Sequence, residues 1–167
     1  MLRLTRIADY GVLLMANLAA SEKPRLTAAD LSSMTHIPAP TVSKIMQTLQ
    51  SGALLSSVRG AHGGYALLRS AQEISVADIL QCFDGELALT ECNLAESHCD
   101  QHAVCSISRN WQSINRSIAR VLNTISLADM MADGFEPEFC LVTQQRASQW
   151  PVVIEESQPC QGCAGSR

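Results

Sequence analysis

The sequence predicts a mainly α-helical chain interrupted by a single β-hairpin. Three observations lead there. Apolar residues recur at helical spacing over residues 3–20, across 28–51 and again over 107–125. A glycine-rich turn at 59–64 is flanked by two short strand-like runs. Ser/Thr-x-x-Asp starts stand at Thr27, Ser75 and Ser126, each ahead of an apolar run.

In the first segment Leu4, Ile7, Val12, Met15 and Leu18 follow one another at three- to five-residue steps, which predicts a helix over 3–20. Asp9 interrupts the apolar stretch, so it reads as a domain helix rather than an export signal. After a loop through Lys23-Pro24-Arg25, Thr27-Ala28-Ala29-Asp30 opens a short helix carrying Leu31 and Met34. His36-Ile37-Pro38-Ala39-Pro40 is a turn with a proline suited to the first turn of the next helix. That helix buries Val42, Ile45, Met46 and Leu49, and Gly52 marks its end. Helix, short helix, tight turn, helix is the order of a helix-turn-helix, with the last helix as the reader.

Residues 54–58 and 65–68 then flank Arg59-Gly60-Ala61-His62-Gly63-Gly64 as a hairpin, which turns the motif into a winged helix with a two-stranded wing. Ser75-Val76-Ala77-Asp78 starts a helix reaching about Phe83. Residues 91–105 are polar, cysteine-rich and without amphipathic period, hence a loop. From Ile107 the residues Ile107, Trp111, Ile114, Ile118, Val121 and Ile125 form a heptad-like stripe opposite Arg109, Asn115, Arg116 and Arg120. Such a helix packs on a partner, and a symmetric dimer is the economical one. Ser126 begins a last short helix, and Pro137, Pro151 and Pro159 break any pattern beyond it. The expected division is therefore a winged helix-turn-helix over 1–84, a cysteine loop and dimerisation helix over 85–131, and a poorly ordered tail over 132–167.

Composition sets bounds on function. The chain has 167 residues, 47% hydrophobic and 17% charged, with a mean hydropathy of +0.08 and no membrane-spanning apolar run. Its net charge of −4 and pI near 5.5 count, as an average, against nucleic acid. The average conceals a division. Residues 1–70 hold seven Lys/Arg against three Asp/Glu, and residues 71–167 hold five against thirteen, so +4 precedes −8. Local field governs attraction to phosphate, and the basic part is the winged helix. On the reading helix Thr41, Ser43, Lys44 and Gln47 can reach base edges and phosphates in a major groove. At the wing, Arg59 can enter the adjacent minor groove, and His62 shares its turn.

Seven cysteines, none before Cys82, are many for a chain expected in the reducing cytoplasm. Cys92-x6-Cys99-x5-Cys105 places three soft thiolates on one loop, suited to iron–sulfur or zinc ligation. The spacing is wider than that of paired zinc knuckles, which favours a cluster. A cluster usually takes a fourth ligand, for which His98, His102 and a carboxylate such as Asp9 from a partner subunit are candidates. Cys82 shares a helical face with Ile79 and Phe83 and reads as a small core residue. Cys160-x2-Cys163 reads as idle or accessory, and Cys140 carries no signal. No nucleophile–base pairing and no phosphate-binding glycine loop points to an enzyme.

LRLTRIADYGV, TVSKIMQTLQSGALLSSVRGAHGGYALL, ISVADIL, LTECNL, the three cysteines and SLADMM together resemble the family of winged-helix regulators that carry an iron–sulfur cluster. This family includes the Isc and Suf assembly regulators and the nitric-oxide-sensing repressor. The resemblance covers residues 2–131, and LALTECNLAESHCDQHAVCSISRNWQSIN is most like the Suf branch. It implies a homodimer with crossed long helices, a palindromic double-stranded DNA operator, and a [2Fe–2S] or [4Fe–4S] cluster on Cys92, Cys99 and Cys105. The Isc branch has a histidine three residues after the third cysteine, where this chain has Ser108. The nitric-oxide branch uses an aspartate from the other subunit's first helix, and Asp9 occupies that place. The expected function is cluster-dependent control of Suf-type assembly genes. The alternatives are a nitric-oxide-sensing repressor of the same family and an iron–sulfur carrier that binds no DNA.

Overall fold

The computed structural model describes residues 4–60, 63–85, 88–90 and 105–137. The chain divides into two compact units, Met1–Glu136 and Pro137–Arg167. Apart from Pro137, the second lies outside the described residues, as does nearly all of the expected tail. The first unit contains six helices and a two-stranded antiparallel sheet among its described residues. It is mainly α, with the expected winged helix-turn-helix at its N-terminal end.

Helix α1 spans Arg6–Ala20 rather than starting at residue 3, because the Thr5 hydroxyl accepts the Ala8 N–H at 3.2 Å and holds Thr5 extended as the cap. The same hydroxyl donates to Asp84 Oδ1 at 3.0 Å, tying the head of α1 to the end of helix α4 (Val76–Asp84). The buried face of α1 is Ala8, Gly11, Leu14, Met15 and Leu18, while Leu4 and Ile7 are exposed. Met15 and Leu18 are buried as the stripe predicts and Val12 packs partly buried against the core, while at the N-terminal end the buried face shifts to Ala8 and Gly11. At Gly11 a Cβ would run into the Phe83 ring, and its absence lets α4 approach this face.

Helix α2 (Ala28–Thr35) begins with a reciprocal capping box in which Thr27 N donates to Asp30 Oδ2 at 2.9 Å and Asp30 N donates to Thr27 Oγ1 at 3.1 Å. Leu31 is buried as expected, whereas Met34 is exposed. Helix α3 (Ala39–Ser51) carries Pro40 in its first turn and buries Val42, Ile45, Met46 and Leu49, the four positions read from the sequence. It is bracketed by two non-glycine residues in the left-handed region, His36 at φ 58° and Ala53 at φ 56°. Gly52 caps α3, marking its end as read from the sequence, at an ordinary φ of −78°. A Cβ at Gly52 would strike Cys82 Sγ, and close packing is what requires the glycine.

Strands β1 (Leu55–Val58) and β2 (Gly64–Leu67) pair antiparallel, with Leu55 opposite Leu67 and Val58 opposite Gly64. Leu26 joins the wing as a third, one-residue rung. Its N–H donates to Tyr65 O at 3.1 Å, and the Tyr65 N–H donates back at 2.8 Å. This rung anchors the wing to the segment preceding α2. Helix α4 (Val76–Asp84) starts at the predicted Ser75–Asp78 capping box, and Arg69 donates to Asp78 Oδ2 at 3.2 Å.

Helix α5 (Ser108–Thr124) begins one residue after Ile107, which caps it. None of its residues is fully buried in the protomer. After it the chain returns: Val76 N donates to Ile125 O and Leu127 N to Ile74 O, both at 2.8 Å. This bridge between Ser75 and Ser126 delivers α6 (Leu127–Met131) to the winged helix, where Leu127 is fully buried in the same core as Leu14, Met15, Ile45, Leu49, Leu54 and Ile79. Sequence periodicity gave no sign that α6 closes that core.

Candidate functional site

Burial of Val42, Ile45, Met46 and Leu49 fixes the rotation of α3, because residues three and four apart share a face. Lys44 and Gln47 consequently stand exposed, with Thr41 and Ser43 half-buried at the flanks. None of these four side chains has a hydrogen-bond partner among the described residues, so their donors face outward unspent. The neighbouring hydroxyls are spent: Thr48 donates to Lys44 O at 3.1 Å and Ser51 to Gln47 O at 3.0 Å. No acidic side chain lies anywhere on α3. An uncommitted row of hydroxyl, ammonium and amide groups without acid suits contact with base edges and phosphates.

Arg59 is exposed at the tip of β1, beside Gly60. His62 lies outside the described residues. The wing and α3 face each other across a groove of about 370 Å³, and its walls include Gln47, Gln50, Ser57 and Arg59. Gln50 and Ser57 were missed by sequence reasoning. Gln50 is three residues beyond Gln47 and could have been placed on its face, but nothing in the sequence showed that the wing folds back toward it.

Of the candidate cluster ligands, Cys92 and Cys99, with His98 and His102, lie outside the described residues. Cys105 is half-buried and stands directly ahead of α5, where the Ser108 hydroxyl donates to its carbonyl at 3.2 Å. The first turn of α5 carries no acid, and Arg109 follows. A half-buried sulfur at the head of a helix is a soft donor of the kind that ligates iron or zinc, so the chemistry of this position fits a soft-metal ligand. Asp9 is exposed in the first turn of α1. Among the described residues no three His, Cys, Asp or Glu side chains gather into a metal site.

Cys82 behaves differently. Its Sγ donates to Asp78 O at 3.3 Å and packs against the core, and burial, with a smaller contribution from the Asp78 charge, pushes the thiol above its ordinary value. It stays a protonated core residue, as its helical face suggested.

Residues 4–133 match the Rrf2 family of iron-dependent transcriptional regulators. The chain belongs to the Rrf2 family. It is 31% identical over 135 residues to the protein rrf2 of Nitratidesulfovibrio vulgaris, covering 80% of this chain and 89% of that one. It is 28% identical over 155 residues to the transcriptional regulator IscR of Vibrio cholerae, covering 89% of each. Among solved structures, T. potens IscR superposes with a TM-score of 0.59 at 28% identity over 78% of this chain and 86% of that chain. The B. subtilis cysteine regulator CymR has the same fold, with a TM-score of 0.63 at 22% identity over 78% and 97% of the two chains. As an Rrf2 protein the chain is a DNA-binding transcription regulator. Its relatives and structural neighbours are regulators rather than enzymes, in agreement with the sequence. No helix among the described residues is long and apolar enough to cross a membrane.

Proposed function

We propose that this Rrf2 protein is an iron–sulfur-cluster-dependent regulator of Suf-type cluster assembly genes, acting in the cytoplasm as a homodimer on a palindromic operator. The observation that carries the reading is the junction at Cys105. The last of three closely spaced cysteines is half-buried at the head of a helix whose apolar residues Ile107, Trp111 and Ile114 remain 53%, 36% and 45% exposed. A ligand loop and an uncovered dimer face are thereby continuous in the chain. Its similarity to the IscR regulators of Vibrio species supports a metal-responsive regulator of this kind.

Cys92, Cys99 and Cys105 would hold the cluster, with the partner's Asp9 as the fourth ligand. When bound, the cluster supplies a metal centre sensitive to oxidants and to its own loss. A carboxylate would be a hard and weakly held donor beside three thiolates, so Asp9 would be the most labile of the four ligands. Asp9 lies one turn beyond Thr5, which is tied to Asp84, and α1 packs on both α2 and α3. As a ligand, Asp9 would therefore join the cluster loop of one subunit to the seat of the other's reading helix, so that cluster occupancy would bias the arrangement of the two readers. Operator half-sites about one helical turn apart are expected of such a dimer.

Anaerobic purification with Mössbauer spectroscopy of the wild type, Cys105→Ser and Asp9→Ala tests the ligand set. Loss of iron in Cys105→Ser and altered spectra in Asp9→Ala are expected; an unchanged cluster in Asp9→Ala removes the fourth ligand. The second reading, a nitric-oxide-sensing repressor, is favoured by the exposed aspartate in the first turn of α1. Promoter mapping separates it from the Suf reading. Gel shifts on the gene's own upstream DNA, with and without cluster, dispose of the carrier alternative if either state binds specifically.

A further inference from the structure

We propose that the groove between α3 and the wing is a slot for one DNA backbone strand, in which Gln50 and Ser57 hold phosphate. The inference rests on the reading that α3 enters a major groove and Arg59 the adjacent minor groove. In a duplex, neighbouring major and minor grooves share one phosphodiester strand as their common wall. A protein with a helix in one and a wing in the next must straddle that strand. The space it leaves is the groove of about 370 Å³ described above.

The lining matches that occupant. Among the described residues no Asp or Glu contributes to it, and the one formal charge is the Arg59 guanidinium. Gln47 and Gln50, three residues apart on α3, present two carboxamides along one wall. Both are exposed and lack hydrogen-bond partners among the described residues, while Thr48 and Ser51 between and beside them are committed to helix carbonyls.

On the opposite wall the strand alternation separates two serines. Ser56 turns away and is spent, donating to Ala66 O and accepting from Arg25 Nη1, each at 3.4 Å. Ser57 is exposed toward the groove and makes no hydrogen bond among the described residues. Gln and Ser donors are standard partners of phosphate oxygens and carry no sequence information there. They also carry no charge, so they release no counterion on binding.

That difference defines the test. The duplex is the sequence that the full-length protein selects from a random pool, compared with an unrelated duplex, and affinity is measured against salt. Gln50→Ala and Ser57→Ala are each expected to weaken binding to both duplexes about tenfold, as for a lost hydrogen bond to a charged group. The slope of log affinity against log salt should stay at the wild-type value. A methylphosphonate at the straddled phosphate should weaken the wild type more than the Gln50→Ala/Ser57→Ala double variant, which keeps only the charge contact from Arg59. A fall in preference between the two duplexes for Gln50→Ala would make it a base reader and overturn the proposal, as would unchanged affinity in both variants. Wild-type affinity and slope in Lys44→Ala and Arg59→Ala would instead show that α3 and the wing are not the DNA face.

Discussion

Cys82 Sγ occupies the place that a side chain at Gly52 would need: a methyl group built on Gly52 collides with it. The end of the reading helix and the middle of α4 are therefore packed backbone against thiol, with a partly buried Cys82 joining the main core. Gly52→Ala should destabilise the protein by about 1–3 kcal/mol through overpacking. In Gly52→Ala/Cys82→Ala the added methyl takes the vacated space, so the double variant should be more stable than the sum of the single losses. Urea denaturation of the three variants measures the coupling, and strict additivity would contradict the contact.

Ala53, the next residue, holds a left-handed φ of 56° with a Cβ that disfavours it. Ala53→Gly removes that strain but adds freedom to the unfolded chain, and the balance should be a gain of roughly 0.5–1 kcal/mol. A raised thermal midpoint is expected; a lowered one would mean the Ala53 methyl packs favourably.

Leu127 is fully buried although it follows the long helix. Leu127→Ala should cost about 2–5 kcal/mol, the range for emptying a leucine site in a core. Because Leu127 N also donates to Ile74 O, truncation after Thr124 should lose the cooperative unfolding of the winged helix itself. Circular dichroism melts of both variants check this, and a winged helix of unchanged stability would show α6 to be a mere appendage.

Acid should loosen the helix starts. The Thr27 hydroxyl and amide bonds hold the Asp30 carboxyl below its ordinary value of 3.8, and the Ser126 hydroxyl and amide do the same to Asp129. A lowered carboxyl pKa in the folded state means stability present above the ordinary value and lost as pH falls through the folded one. Stability should therefore decline from about pH 4 downward, and the decline should be shallower in Asp30→Asn and Asp129→Asn. Denaturation midpoints at stepped pH read the difference; identical acid limbs in wild type and variants would exclude these caps as its source.

Lys44 and Arg59 are the exposed cations on α3 and at the wing. Replacing either by alanine should lower the salt slope of DNA affinity by about one unit as well as the affinity itself. Titrations at four salt concentrations distinguish this from the salt-neutral losses expected of Gln50 and Ser57.

Much of the fold was legible because its signals are local. The capping boxes at Thr27, Ser75 and Ser126 each join residues three apart, and the buried face of α3 repeats at three and four. In α1 the stripe held at Met15 and Leu18 but not at Leu4 and Ile7. Gly11 on the buried face was missed because it is Phe83, more than seventy residues away, that packs against it. Separation in sequence likewise hid the Leu26–Tyr65 rung and the return of Leu127. Gln50 and Ser57, by contrast, are close in the chain, and it is the turn between α3 and β1 that sets them across one groove.

The sequence by itself determined the order of helices and wing, the donors on α3, the basic-then-acidic division of charge and the three-cysteine spacing. Each of these follows from residues near one another in the chain, where spacing and charge act directly. Only the tertiary structure decided which face of α1 is buried, why Gly52 must be glycine, what closes the core and which side chains look across at the wing. Those are questions of volume and approach between distant segments, and they are settled when hydrophobic burial brings the segments together.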